Sequence, residues 1–186
     1  MIFVEGNDDK KFIVSLLNDL KKNNRIIIDD NINFDNLIEV MGSKSKLLDS
    51  NNYKYKRASI KIKNSTKITN VLFIFDADFE TDDKNCNGIK HSNICYKKLI
   101  KGLNWNIKTE FHIFNRNLDY FLIETIKDKE CYKNFDSLVK CLKIEDIKPN
   151  KKPIANLYRD LYPYPKFDYS DDKFNELKQK LINLFN

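Results

Sequence analysis

The sequence predicts an α/β protein with a mostly parallel sheet of four strands, flanked by helices and followed by a helical C-terminal extension. Short apolar segments alternate with amphipathic segments in the order β-α-β-α-β-α-β. This order is typical of parallel sheets with helices on both faces. The third strand segment, Val71–Phe75, is apolar at every position, as expected for a central parallel strand that is covered on both faces.

The first strand and helix are predicted close to Met1. Ile2–Val4 has the apolar pattern of a buried strand. Asn7 is predicted to cap the helix that follows, and Asp8 and Asp9 fall in its first turn, where the helix dipole favours acids. An apolar stripe at helical spacing continues this helix to residues 21–24.

The remaining elements follow in the same alternation. They are predicted as a strand at Leu37–Met41, a ragged basic helix over residues 44–64, the central strand, a helix at 89–102 and a strand at 108–114. Further helices are predicted at about 118–127, 134–143, 151–161 and 171–184. We therefore divide the chain into an α/β domain at residues 1–115 and a helical extension at residues 116–186 that packs on the same domain.

Net charge and apolar content indicate which partners and which location to expect for the protein. The 186 residues carry a formal net charge of +6, which fits a polyanionic partner such as nucleic acid, or a lysine-rich solvated surface. The sequence shows no apolar run of membrane-spanning length and no basic-then-apolar leader. We therefore expect a cytoplasmic protein without a membrane partner.

The four cysteines form no CxxC pair, so reduced thiols are the simplest expectation for them. They are Cys86, Cys95, Cys131 and Cys141. The alternative is a metal site at Cys86, His91 and Cys95, although zinc sites usually show tighter paired spacing.

Two acidic clusters follow predicted strand ends. Glu5, Asp8 and Asp9 come after the first strand, and Asp76 and Asp78 come after the third. Ligands of open parallel sheets bind outside the carboxyl ends of the strands, so adjacent strands would bring the two clusters together. Clustered carboxylates repel one another unless a cation neutralises them, and ligands that are all oxygen suit Mg²⁺ or Mn²⁺. The alternatives are a polar strand exit at Asp76 and Asp78 and ordinary helix capping at Asp8 and Asp9.

The two motifs resemble those of the TOPRIM family, which includes primases, topoisomerases, small ribosomal-RNA maturases and OLD-family nucleases. The family pattern is an apolar strand ending in Glu-Gly, followed some tens of residues later by an apolar strand ending in Asp-x-Asp. Phe3–Gly6 and Phe73–Asp78 match it. The similarity is strongest to small stand-alone TOPRIM-like proteins of unassigned function and to the OLD-type nuclease domain. Met41–Lys44 resembles the glycine-containing turn of these proteins, and residues 117–119 and 167–185 resemble their helical tail.

The resemblance implies a TOPRIM-like, Rossmann-like fold and a role for each matched acid. Asp76 and Asp78 would hold a divalent metal, and Glu5 would bind metal or act as a general acid or base. Asp9 would complete a second metal position in an OLD-like site. Two neighbouring metal ions can stabilise both the attacking and the leaving oxygen in phosphodiester cleavage.

Four further residues are secondary candidates: Asp8, Gly6, Lys44 and Glu80. Lys44 is a candidate phosphate contact, or else a solvated lysine. Glu80 follows Asp78 closely, where the family has glycine, and is either a substitute acid or a solvent-facing side chain. We expect that any ATPase partner of an OLD-like nuclease would be a separate chain.

The sequence thus predicts a nuclease that depends on Mg²⁺ or Mn²⁺, or a related phosphodiester-transfer enzyme, acting on DNA or RNA. The main alternative is a non-catalytic TOPRIM-like module that binds nucleic acid or docks a partner. In such a module the basic segment Tyr53–Arg57, with Lys61, Lys63 and Lys67, would contact phosphates and bases.

Two other classes fit less well. A haloacid-dehalogenase-type phosphatase would carry Asp-x-Asp on its first strand and threonine in place of Glu80. A receiver-like switch would leave Gly6 and Asp78 unexplained. The oligomeric state stays open.

Overall fold

A computed structural model of the protein describes residues 1–29, 31–65, 68–78, 86–123 and 169–185, together with residues 125, 130, 133, 134 and 137. The elements with described bounds are, in chain order, β1 (Ile2–Val4), α1 (Asn7–Lys22), a 3₁₀ turn (Phe34–Leu37), β2 (Ile38–Val40), α2 (Lys44–Leu48), α3 (Tyr53–Asn64), β3 (Asn70–Asp76), α4 (Ile89–Leu103), β4 (Lys108–Phe114), α5 (Leu118–Ile123), a second 3₁₀ turn (Asp172–Phe174) and α6 (Asn175–Ile182).

The four strands form one parallel sheet in the order β2-β1-β3-β4. Val4 of β1 pairs with Val40 on one side and with Ile74 on the other. The predicted α/β fold with a parallel sheet is therefore confirmed. Because β1 and β3 are neighbours, Glu5 and Asp76 leave the sheet side by side.

Two helical layers cover the sheet, because alternate side chains of a strand point to opposite faces. One layer contains α1, α5 and α6, and its core includes Val4, Ile74 and Phe114 of the strands. The other layer contains α2, α3 and α4, and packs on Phe3, Phe73 and their neighbours. Each layer buries one apolar face of the sheet.

The first helix begins differently from the prediction. Gly6, not Asn7, is its N-cap, and Asn7 is its first residue. The Asp9 carboxylate accepts a hydrogen bond of 2.8 Å from the Gly6 N–H. This reciprocal contact from the third helical position fixes the start of the helix one residue earlier.

The basic segment of residues 44–64 forms two helices instead of one. Ser43 caps α2 by accepting from the Lys46 N–H, and Asn52 caps α3 by accepting from the Lys54 N–H. A second capping residue inside the segment therefore ends one helix and starts the next. The Tyr55 ring is buried and its hydroxyl donates to the Leu47 carbonyl, so this tyrosine is not available to stack on a base.

The described end of the tail packs against α1. The Tyr169 hydroxyl donates to Ser15 Oγ at 2.6 Å, and Phe174 and Leu177 join the core that α1 shares with the sheet. The helices predicted at 134–143 and 151–161 lie largely outside the described residues. In the part of the chain described here, no helix has the length and apolar character needed to cross a membrane.

Cys86 and Cys95 are joined by a disulfide, with their Cα atoms 5.9 Å apart. The prediction of reduced thiols is therefore wrong for this pair, and the bond removes both thiolates from the alternative metal site with His91. The pairing arises because α4 begins close to Cys86, where Ser92 Oγ donates to the Cys86 carbonyl, and its next turn brings Cys95 alongside. Cys131 and Cys141 lie outside the described residues.

Candidate functional site

A cleft of about 310 Å³ opens at the carboxyl edge of the sheet. Residues that follow or end each of the four strands line it, as expected for an open parallel sheet. Its acidic lining residues are Glu5, Asp8, Asp9, Asp76 and Asp119. The structure thus brings the N-terminal acids and Asp76 together, as the sequence predicts, and adds one acid from the exit of β4.

Backbone hydrogen bonds hold Glu5 and Asp76 against neighbouring strand exits. Glu5 Oε1 accepts from the Asp76 N–H at 2.9 Å. Asp76 Oδ1 in turn accepts from the Leu118 N–H at 2.9 Å. These contacts connect the ends of β1, β3 and β4, and they engage one oxygen of each carboxylate.

The cleft raises the pKa of both central acids. Burial is the main cause that brings the pKa of Glu5 to about 8; the Asp76 N–H and Lys44 oppose the shift, whereas Asp9 and Asp78 add to it. Burial also raises the pKa of Asp76 well above its usual range, and Asp9, Glu5 and Asp78 contribute in the same direction. Ionising these acids together is unfavourable unless a cation enters the cleft.

The first turn of α1 forms one wall of the cleft. Asp9 is buried and, as described above, accepts from the Gly6 N–H, which fixes its carboxylate near the helix start. Asp8 is exposed and forms an ion pair with Lys11 at 3.6 Å. Asp9 is therefore the better placed of the two for a role inside the cleft, whereas Asp8 borders its mouth.

A glycine allows the exit of β2 to approach the exit of β1. Gly42 has a φ of +96°, in the left-handed region that favours glycine. Its N–H donates to the Glu5 carbonyl oxygen at 2.7 Å. The turn places Gly42 and Ser43 on the lining of the cleft, so the turn at Met41–Lys44 does border the site.

Asp78 occupies a different position from Asp76. It has a φ of +56°, so the backbone is not extended at this residue. Asp76 lines the cleft and Asp78 does not. That both acids of the Asp-x-Asp motif face one ligand therefore stays a prediction, and the charge of Asp78 contributes to the raised pKa of Glu5 and of Asp76.

Lys44 contacts the protein around Asp78. Its Nζ donates to the Ala77 carbonyl at 2.8 Å and to Asn87 Oδ1 at 3.0 Å, and lies 3.4 Å from Asp78 Oδ2. Only 11% of its side chain is exposed. Lys44 is thus a buried cation that connects the loops after β2 and β3, which a solvated lysine would not do. Its predicted contact with a phosphate stays a prediction.

Asp119 lines the cleft, although the sequence predicted it only as part of the helical tail and not as a site residue. It is buried and lies in the first turn of α5, just after the end of β4. The same signal that identifies Asp76, an acid at the carboxyl end of a predicted parallel strand, was available for Asp119. Glu80 lies outside the described residues, and so does Lys67.

The chemistry of these donors fits a hard divalent cation. All of the acidic side chains in the cleft offer oxygen, and Mg²⁺ and Mn²⁺ prefer oxygen ligands. Within the described residues, however, no three His, Cys, Asp or Glu side chains are already arranged as a metal-binding group. Glu5, Asp9 and Asp76 each accept a backbone hydrogen bond at one carboxylate oxygen.

Comparison with known proteins gave no match. No family model, curated protein or solved structure matches the chain. We therefore base the functional proposal on the residues and geometry of the cleft.

Proposed function

We propose that this protein is a nuclease dependent on Mg²⁺ or Mn²⁺, or a related phosphodiester-transfer enzyme, with a TOPRIM-like site that acts on nucleic acid. The observation that carries the proposal is the acidic cleft at the carboxyl edge of the sheet. It is lined by five carboxylates, two of which have raised pKa values. Buried acids of this kind are typical of functional sites, and of sites that receive a cation.

Four side chains would hold the ion: Glu5, Asp9, Asp76 and Asp119. Asp76 lies at the centre of this group, since it contacts both Glu5 and the start of α5 through hydrogen bonds. When bound, a divalent metal supplies positive charge for phosphate oxygens and makes a water molecule more acidic. Neither effect can be produced by the carboxylates alone.

Contacts of the protein's own residues position Glu5 and the loops that surround the cleft. The Asp76 N–H orients Glu5, which fits either binding the ion or acting as a general acid or base. Gly42, with its positive φ, brings the end of β2 close to Glu5. Lys44 fixes the loop that carries Ala77 and Asp78. The cleft is therefore shaped by contacts within the protein itself.

Cleavage of labelled single- and double-stranded DNA and RNA, with Mg²⁺ or Mn²⁺, tests the proposal. We expect cleavage by the parent protein and a loss of at least about 100-fold in Glu5→Gln and in Asp76→Asn, since electrostatic contributions of single catalytic groups are often of this size. Asp19→Asn is the matched control, because Asp19 lies on the same helix as Asp9 but at its far end. This control should cleave like the parent.

Two outcomes would count against the enzyme. If Asp76→Asn cleaved as well as the parent, a different site or a contaminant would be responsible. If the parent bound metal in the cleft but cleaved none of the four substrates, the non-catalytic module that binds nucleic acid or a partner would replace the nuclease as the function.

A further inference from the structure

The helices α2, α3 and α4 contain cations but no acids within their bounds, although Asp49 follows α2 as its C-cap. α3 holds five of them: Lys54, Lys56, Arg57, Lys61 and Lys63. α4 holds four: Lys90, Lys97, Lys98 and Lys101. α2 adds two more lysines, and none of the three helices contains an aspartate or a glutamate.

The opposite layer has mixed charge. α1 contains three aspartates beside four lysines, α5 contains Asp119, and α6 contains Glu176 beside two lysines. A general abundance of lysine in the sequence would load both layers with cations, but it would not remove the acids from only one. The difference therefore calls for a cause that is specific to the α2, α3 and α4 surface.

The cations of this layer face solvent. Lys56, Arg57 and Lys63 are exposed on α3. Lys97, Lys98 and Lys101 are exposed on α4. Lys44 and Lys54 are exceptions: Lys44 contacts Ala77 and Asp78, whereas Lys54 contacts the Val40 carbonyl and lies 3.4 Å from Glu39. A polyanion could thus approach the six exposed cations of α3 and α4 without displacing a structural ion pair.

The cationic layer starts at the cleft. Ser43, which caps α2, is itself part of the cleft lining. Lys54, at the start of α3, contacts the end of β2 through Val40. Gly88, which precedes α4, donates from its N–H to the Ala77 carbonyl at the end of β3. The starts of α2 and α4 therefore lie at the carboxyl edge of the sheet, so a chain bound there would reach the acids.

We propose that the outer surface of α2, α3 and α4 binds the sugar-phosphate backbone of a nucleic acid and directs it toward the cleft. The partner is polyanionic because every charge offered to it in these helices is positive. Its contacts are with phosphates, so binding is independent of base sequence. The part of this proposal that directs the nucleic acid toward the cleft rests on the proposed function. Binding of nucleic acid to the helices does not require that the protein cleaves it.

A lipid surface fits this layer less well. Helices that lie on membranes insert a continuous apolar face into the lipid. Here the apolar face of α3, with Tyr55 and Ala58, is buried against the sheet. The exposed large apolar side chains of the layer are Tyr53 and Ile60 on α3 and Ile89 and Ile94 on α4, each in a helix that also carries exposed cations.

Fluorescence anisotropy in EDTA tests the surface, with a labelled oligonucleotide of mixed sequence as the probe, single-stranded and duplex. One variant neutralises α3 (Lys56→Gln, Arg57→Gln, Lys63→Gln) and a second neutralises α4 (Lys97→Gln, Lys98→Gln, Lys101→Gln). The control removes three cations from the other layer (Lys21→Gln, Lys22→Gln, Arg25→Gln). Circular dichroism verifies that all three variants fold.

Each layer variant should lower affinity by about 10-fold or more, and should reduce the slope of log K against log salt for the duplex by about 2 to 3, since each lost phosphate contact contributes about 0.9. The control should change affinity less than about 2-fold. Equal losses in the control and the layer variants would overturn the proposal. So would a parent that binds phosphatidylserine vesicles but not the oligonucleotide.

The two proposals fail separately in this design. If binding depended on the layer but no substrate were cleaved, the binding surface would be supported and the nuclease activity would be rejected. If cleavage depended on Asp76 but the layer variants bound like the control, the nuclease activity would be supported and the binding surface would be rejected.

Discussion

The two helical layers of this protein bury the sheet in the same way but present different outer surfaces. Inward, both contribute fully buried apolar side chains, such as Leu16 of α1 and Leu99 of α4. Outward, the α1, α5 and α6 layer carries acids and cations together, whereas the α2, α3 and α4 layer carries only cations. The inner faces are constrained by packing and the outer faces are not. The outer faces are therefore where a difference in function becomes visible.

The first prediction tests the equality of the inner faces. Leu16→Ala and Leu99→Ala each remove a fully buried side chain, one from each layer. Each should lower the free energy of unfolding by about 2–5 kcal/mol, as measured by denaturant unfolding. If one variant were neutral while the other lost several kcal/mol, the two layers would not contribute equally to the core.

The second prediction concerns acid sensitivity in the mixed layer. His112 of β4 is buried beneath α6, with its ring against Phe114 and Phe121 and its Nδ1 3.7 Å from Glu176 Oε1. Burial is the main cause that lowers its pKa from 6.5 to about 4, and the charge of Lys180 adds to the shift.

The direction in which stability changes with pH follows from proton uptake on unfolding. Between pH 6.5 and 4 the unfolded chain binds a proton at His112 that the folded chain does not, so stability falls as the pH is lowered through this range. The loss should be of order 2–3 kcal/mol. His112→Phe should remove this part of the pH dependence while the cationic layer binds the oligonucleotide as before. An unchanged pH profile in His112→Phe would contradict the assignment.

The third and smallest effect belongs to the cationic layer. Tyr53 is exposed beside Lys56 and Arg57 and is placed to stack on an unpaired base. Tyr53→Ala should weaken binding of single-stranded oligonucleotide by about 5-fold or more, since one stacked base contributes on the order of 1–3 kcal/mol. Duplex binding should change little. Equal losses for both probes would show that Tyr53 does not stack.

Much of the fold was predictable because burial leaves a clear pattern in the sequence. The unbroken apolar run of β3 could only be a covered strand, and the structure gives β3 and β4 close to their predicted bounds. The ends of β1 and β3 also located Glu5 and Asp76 at one edge of the sheet. The same rule, that an acid after a parallel strand lies at the carboxyl edge of the sheet, could have predicted Asp119.

The rest depended on features that leave little trace in the sequence. Aspartate tolerates a positive φ, so nothing marked Asp78 as the residue where the chain turns away from Asp76. The contacts of Lys44 with Ala77 and Asn87 join loops that are far apart in the chain. The Cys86–Cys95 disulfide likewise depends on where α4 begins. Each of these is set by tertiary structure.

Titration calorimetry with Mn²⁺ on the parent, Asp76→Asn, Asp78→Asn and Asp19→Asn proteins tests the central claim most directly, namely that the acidic cleft receives a divalent cation. We expect binding by the parent, a loss of at least about 10-fold in affinity for Asp76→Asn, and near-parental binding by Asp19→Asn. Asp78→Asn should lose less than Asp76→Asn, because Asp78 faces Lys44 and does not line the cleft. No binding by the parent, or parental affinity in Asp76→Asn, would contradict the account.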